Sequence, residues 1–384
     1  MPYWAVPTPW RESRMRPTLA ARGGAGLAGP RIAEVAAMGH FVGIDVSLEL
    51  SSVCLVDAAG QVVKEVKAPS EPAALAQVVR DFGVEVERVG LEAGPLSSWL
   101  HGGLSEAGFE VVLLETRHVR AALSAMVVKT DRRDARGIAQ LLRMGWFRPV
   151  HRKAPPAQEV RALLVARKLL LGKLVDVDGG VRGVLRGFGL KVGAVGQAGF
   201  PGRVRALVDG HAVLQSIVEP LLAACEAMRA ELARLHRQVL AIARGDEVCH
   251  RLMTAPGVGA VVALTYRSGV DDPTRFRSSR ALGPYLGLTP RRYQSGETDV
   301  TGGISRAGDA MARTALYEAA TVILTRAVRF SPLKRWAVAV AARRGVKRAR
   351  VALARKLATV LHRIWLDGTT FRWGDGAEAP TRAA

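Results

Sequence analysis

The sequence predicts a mixed α/β domain followed by an all-helical half. Short apolar strands bounded by glycine turns fill the stretch from Phe41 to Glu115, first in direct succession and then alternating with helical segments. Beyond Trp146 the strand signals nearly vanish and helical periodicity takes over. The third observation is charge: 55 Lys+Arg stand against 34 Asp+Glu, a net +21, which points to a polyanionic partner.

Taken in order, residues 1–37 are rich in Arg, Pro, Ala and Gly without period, and Trp4 and Trp10 have no core to join; this stretch reads as disordered or non-native, with Met38 a plausible start. FVGIDV from Phe41 is a buried strand, SSVCLVDA a second, and QVVKEVKA, after a turn at Gly60, an alternating third. A helix over 71–83 precedes the strand VERVGLEA, which carries Glu92 at its end. A helix near 97–107, the strand EVVLLE and helices from about 117 complete a first domain of residues 38–150. Residues 151–248 form a helical linker: an apolar-periodic helix over 156–175 with arginines on its other face, a glycine-rich irregular stretch over 183–211, and a heptad seam. That seam runs through Leu221, Cys225, Met228, Leu232, Leu235, Val239 and Ile242, and serves either a dimer or an intramolecular helical hairpin. A compact helical domain follows over 249–368, then a loose tail over 369–384. Cys54, Cys225 and Cys249 show no metal-like spacing, and no apolar run reaches the length of a membrane span, so a reduced cytoplasmic protein is expected.

Four acids stand out. Asp45 lies in an apolar strand, where an ionised carboxylate must be paired, protonated or bound to a metal. Glu92 ends another strand, and if the two strands are neighbours both carboxylates emerge on one edge of the sheet. Asp131 and Asp134 in KTDRRDA share one face of a predicted helix start. As a pair they serve as first-turn acids behind a Thr130 cap as readily as ligands. Together the four acids suit two magnesium ions about 4 Å apart for attack on a phosphodiester. Lys129, Arg132 and Arg133 around them would hold a nucleic-acid backbone.

The stretch LGLTPRRYQSGETDVTGGISR, from Leu286 to Arg306, reads as a polar loop suited to phosphate. Arg291, Arg292 and Arg306 offer parallel donors, Tyr293 stands beside them, Gly296 permits close backbone approach, and Ser295 sits at the centre of the charge.

In the order Asp, Glu, Asp, Asp, the motifs GIDVS, LEAG and KTDRRDA resemble the DEDD transposases of the insertion-sequence 110 family, also called bridge recombinases. The resemblance implies a RuvC-like, ribonuclease H-type fold for residues 41 to about 150. In the second half LMTAPGVGAVVALTY resembles a helix-hairpin-helix, whose Gly257 and Gly259 turn would direct N–H groups at a phosphate. The block from Phe276 resembles the family's transposase segment, in which Ser295 aligns with the serine nucleophile. The resemblance further implies DNA strand exchange at element ends and target, magnesium on Asp45, Glu92, Asp131 and Asp134, a structured noncoding guide RNA, and a homo-oligomer, dimer or tetramer. Basic helices around Arg161, Arg167, Lys168 and Lys173 are candidates for the RNA. A serine hydroxyl needs activation, and no histidine lies near Ser295 in the sequence; the carboxylate-bound metal is expected to supply it in a composite site.

Rival readings keep the resolvase fold as a metal-dependent nuclease without a serine intermediate, or make the chain a non-catalytic RNA- or DNA-binding protein. GIDVS also resembles the first phosphate loop of sugar kinases and actin-like ATPases, but the second phosphate loop and adenosine site those folds require are not recognisable.

Overall fold

The computed structural model describes residues 39–124, 126, 128–326 and 329–374. The N-terminal extension of residues 1–37, the start at Met38 and most of the tail lie outside the described residues. The chain divides into two compact units that part after His151.

The first unit is built on a five-stranded sheet. Strands β1 (His40–Asp45), β2 (Leu50–Val56) and β3 (Val62–Pro69) form an antiparallel meander; β4 (Val86–Glu92) and β5 (Val111–Leu114) add in parallel beyond β1, giving the order β3-β2-β1-β4-β5. Antiparallel neighbours are joined by short turns, with Gly60 at a positive φ of 85° between β2 and β3. The parallel steps need crossovers, supplied by α1 (Pro72–Arg80) and α2 (Ser97–Glu106). The mixed sheet expected for residues 41 to about 150 is therefore present, three antiparallel strands followed by two parallel ones. Val42, Ile44, Val53, Leu55, Val89 and Leu91 form its core with Leu75, Val79, Leu100 and Leu104 of α1 and α2. The other face is covered by α3 (Thr116–Leu123) and α4 (Asp131–Arg143), with Ile138, Leu141 and Leu142 packed among Phe41, Cys54, Val56 and Leu114.

The second unit is predominantly helical. Helices α5 (Pro155–Gly187) and α7 (Ala212–Arg244) are each 33 residues long, with α6 (Phe200–Leu207) between them. Leu164 shares a core with Val239 and Ala243, whereas Val181 and Leu185 pack with Leu214, Val218 and Leu222, so α5 and α7 run antiparallel. Arg229 pairs with Asp178 at 3.2 Å midway. The heptad seam is thus used in an intramolecular helical hairpin, and α7 begins before Pro220 instead of after it. The stretch expected to be irregular over 183–211 includes the last turn of α5 and all of α6; buried Val181, Leu185, Phe200 and Val204 stabilise both despite the glycines.

Helices α8 (Glu247–Met253) and α9 (Ala260–Val270) flank the Pro-Gly-Val-Gly turn. After a short α10 (Leu282–Tyr285), the chain forms strands β6 (Pro290–Ser295) and β7 (Thr298–Ile304), then α11 (Ala310–Thr325), α12 (Pro332–Arg344) and α13 (Val346–Leu366). The core draws Leu264, Tyr266, Leu316, Ile323, Leu353, Leu357 and Leu361 together. Beneath it Lys153 Nζ donates to the carbonyls of Ser268 and Gly269 at 3.0 and 2.6 Å, a cation at the end of α9.

The segment read as a loop at Leu286–Arg306 is a two-stranded antiparallel hairpin, β6 on β7. A run of polar residues hid it, because the hairpin lies outside the core and every residue of β6 is exposed. Its turn is two residues, Gly296 and Glu297, with Gly296 at φ +54°, the glycine-first form that suits a tight hairpin.

Candidate active site

The parallel register of β1 and β4 pairs Ile44 with Leu91, so Asp45 and Glu92 leave the sheet side by side at the same edge. The same register pairs Gly43 with Gly90. A Cβ on Gly43 would lie 2.1 Å from Ala135 O and 2.4 Å from Ala139 N, and one on Gly90 would lie 2.4 Å from Leu142 Cδ1. The two glycines therefore form a bare seat on which α4 lies directly against the strands. Thr130 caps α4 by accepting from Arg133 N at 3.3 Å, placing Asp131 and Asp134 in the first turn.

The Asp45 carboxyl feels the charge of the other three acids. The Asp45 carboxyl is pushed up to about 6, by burial first and then by the charges of Asp134, Asp131 and Glu92, with Lys129 opposing. Glu92 is raised by burial; a hydrogen bond with Thr116 opposes this, Asp134 adds to it, and Lys129 also lowers it. Lys129 Nζ lies 3.7 Å from Asp134 Oδ2. Asp131 and Asp134 are thus first-turn acids of α4 and neighbours of Asp45 at once.

Hard oxygen donors that repel one another fit a divalent cation in chemistry and charge. Among the described residues, no group of three or more His, Cys, Asp or Glu side chains is drawn into a metal-holding cluster. The donor set is present with its carboxylates not closed on one another.

A residue that sequence reasoning missed supports this arrangement. Glu65 of β3 is only 7% exposed and receives Arg132 and Arg136 of α4, the latter at 3.1 Å. Arg132, expected at a phosphate, is therefore engaged within the protein, and Arg133 Nη1 donates to Val128 O at 3.2 Å. An acid in the middle of an alternating strand, with two arginines four apart on a helix, is the signal that could have found the brace. Lys129 is 83% exposed beside the acids.

In the second unit the expected phosphate contacts separate. Gly257 has φ +74°, and a Cβ there would meet Ala319 O at 2.6 Å, so backbone geometry and packing on α11 both account for it. Gly259 faces open space and precedes the first turn of α9, which has no side-chain cap. Ser295 flanks the hairpin turn and pairs with Thr298. Arg292 forms a two-pronged pair with Asp299 across the strands, at 2.8 and 2.7 Å. Tyr293 is 65% exposed. At the hairpin base Arg306 holds φ +54°, its N–H donating to Gly287 O at 3.1 Å.

The profile of the transposase IS116/IS110/IS902 family matches residues 249–336. That of the IS110 DEDD transposases matches residues 42–189. The transposase for insertion sequence element IS1111A of Coxiella burnetii is 30% identical over 347 residues, 87% of this chain and 92% of that protein. A probable family 20 transposase of Pseudomonas aeruginosa is 28% identical over 304 residues, 77% and 89% of the two chains. Among solved structures, Thermus thermophilus RuvC in complex with a Holliday junction substrate matches at 18% identity and a TM-score of 0.23, over 29% of this chain and 99% of that one. With matching profiles in both halves and a relative aligned over nearly its whole length, the chain belongs to the IS110 family of DEDD transposases.

Proposed function

We propose that this transposase is a DNA recombinase that joins its own serine to DNA during strand exchange. The observation that carries this reading is the gathering of Asp45, Glu92, Asp131 and Asp134 at one edge of the sheet, where each carboxylate charge opposes ionisation of Asp45. Magnesium, as one or two ions on these four residues, would supply charge neutralisation for the attacking and leaving oxygens. Ser295, exposed beside the turn of a hairpin that projects from the helical core, is the nucleophile. Its Oγ gives up its proton and bonds to phosphorus as the sugar oxygen–phosphorus bond breaks, the departing sugar oxygen takes up a proton to become a hydroxyl, and the reverse exchange with the hydroxyl of a new strand rejoins the DNA and restores the serine. Arg291, Arg292, Tyr293 and Arg306 hold the phosphate and its neighbours, with Lys129 and the backbone at Gly259 as further contacts.

The reading includes a homo-oligomer, dimer or tetramer, and a structured noncoding guide RNA that selects donor and target. The helical hairpin leaves Val165, Leu169, Val175 and Ile242 exposed, an apolar surface suited to a second copy. Arg161 pairs with Asp309 and is partly committed within the fold, which leaves Arg167, Lys168 and Lys173 as the better RNA candidates. Among the described residues no helix is long and apolar enough to cross a membrane.

Changing Ser295 to Ala should abolish covalent protein–DNA adducts and leave DNA binding intact. Adducts that persist remove the serine from the mechanism and leave the metal-dependent nuclease as the reading. Asp131→Asn should eliminate cleavage; retained cleavage would count against the carboxylate site. Leu169→Glu, on the exposed face of the helical hairpin, is expected to weaken the assembly, read by light scattering.

A further inference from the structure

Between Ala319 and Leu366 the chain has twelve lysines and arginines and no aspartate or glutamate. Several of these cations have partners: Arg329 lies over the Trp373 ring and Lys356 over that of Trp336, at 4.5 and 4.2 Å. Arg335 lies over the Phe330 ring and Arg363 pairs with Asp367; four of the others stand where α12 passes into α13 through Gly345, whose φ of +80° turns the chain in a single residue, and of these Arg343 Nε donates to Ala339 O at 3.3 Å. Arg343 and Arg344 end α12, and Lys347 and Arg348 lie in the first turn of α13; all four are exposed. Arg343 and Arg344 suit a helix C-terminus, but Lys347 and Arg348 oppose the dipole at a helix start, where no acid offsets them. Their arrangement is unfavourable in the isolated protein and becomes favourable on a polyanion.

We infer that the corner formed by Arg343, Arg344, Lys347 and Arg348 clamps the phosphate backbone of duplex DNA independently of sequence. The inference rests on the DNA-recombinase reading for its choice of polyanion. Four exposed cations within six residues, in a stretch of sequence without an acid, suit consecutive phosphates of one strand. Gly345 keeps a side chain away from the point of approach, since a Cβ there would meet nothing. The contacts lie on an element separate from the Ser295 hairpin, so they add affinity and register but take no part in bond exchange.

The test is the salt dependence of binding to a 30-base-pair duplex of arbitrary sequence, followed by fluorescence anisotropy. Replacing all four residues by Gln should lower the slope of log K against log salt by about 3.6, since each lost phosphate contact contributes about 0.9. A control with Arg205→Gln and Arg234→Gln removes two cations already paired with Glu219 and Glu231 and should change it far less. An unchanged slope, a change per cation no larger than in the control, or a loss seen only with a structured RNA of equal length would overturn the inference. If the fourfold variant does not fold, Lys347→Gln with Arg348→Gln should still lower the slope by about 1.8. Adducts formed by the fourfold variant at low salt and saturating DNA keep the clamp distinct from the chemistry. Absence of adducts in the unaltered protein would defeat the serine reading while leaving the slope measurement to decide the clamp.

Discussion

Gly43 and Ala135 are in backbone contact: a single added carbon on Gly43 would lie 2.1 Å from the Ala135 carbonyl oxygen. Ala135 follows Asp134 directly, and Gly43 precedes Asp45 by two residues, so this one close approach sets how the helix acids meet the strand acid. Gly43→Ala should force α4 off the sheet and destabilise the first unit by about 1–3 kcal/mol. Hydrogen exchange at β1 and α4 amides would read the loss. Carboxyl NMR should also show Asp45 titrating lower, because Asp131 and Asp134 would have moved away. An unaltered Asp45 titration would mean that the seat does not position the acids.

Glu65 also holds α4, through Arg132 and Arg136. Both arginines are substantially exposed, so Glu65→Gln should change stability by less than about 1 kcal/mol. Its effect is expected on function. With the first turn of α4 no longer braced, magnesium affinity or cleavage rate should fall about 10- to 100-fold, the range typical of residues that support metal ligands. A magnesium titration of DNA cleavage would check this, and a normal titration would make the brace purely structural.

The sheet was legible because each of its strands is written in the ordinary alphabet of burial: FVGIDV, SSVCLVDA and VERVGLEA are apolar where the structure is buried. The acids were legible for the converse reason, as charges where apolar residues belong. What escaped depends on partners distant in sequence. Glu65 looks like a solvated strand residue until Arg132, 67 positions later, is brought to it. The β6–β7 hairpin escaped because its pairing is local backbone hydrogen bonding with no apolar face to announce it. The heptad seam was visible, but periodicity fixes an apolar stripe and not its occupant; α5, in the same chain, occupies it.

Asp45 gives a pH signature. Its folded carboxyl titrates at about 6, against 3.8 when unperturbed. Between these values the folded protein holds a proton that the unfolded chain has released, so stability falls as pH rises through the window and the penalty is fully present above it. Asp45 is half-buried and solvent screens part of the effect, so Asp45→Asn should stabilise the metal-free protein by on the order of 1–2 kcal/mol at pH 7, with the advantage vanishing below about pH 4. Hydrogen exchange of β1 and β4 amides at the two pH values measures this. Magnesium should stabilise the unaltered protein more than the Asn variant. A variant less stable than the parent at pH 7 would contradict the electrostatic origin of the shift.

Arg292 cannot serve a phosphate while both prongs of its guanidinium are on Asp299. The pair is exposed, and each partner stabilises the other's charged form: Arg292 is held up and Asp299 held down by their hydrogen bond. On the proposed reading, in which Arg292 is a phosphate ligand, DNA competes with Asp299 for the same donors. Asp299→Asn should release Arg292, tighten duplex binding and steepen the slope of log K against log salt by about 0.9, the contribution of one recovered phosphate contact. The double change Asp299→Asn with Arg292→Gln should lose that gain. If the gain survives without Arg292, the carboxylate acts only by repelling DNA, and the arginine is a strut of the hairpin instead of a phosphate ligand.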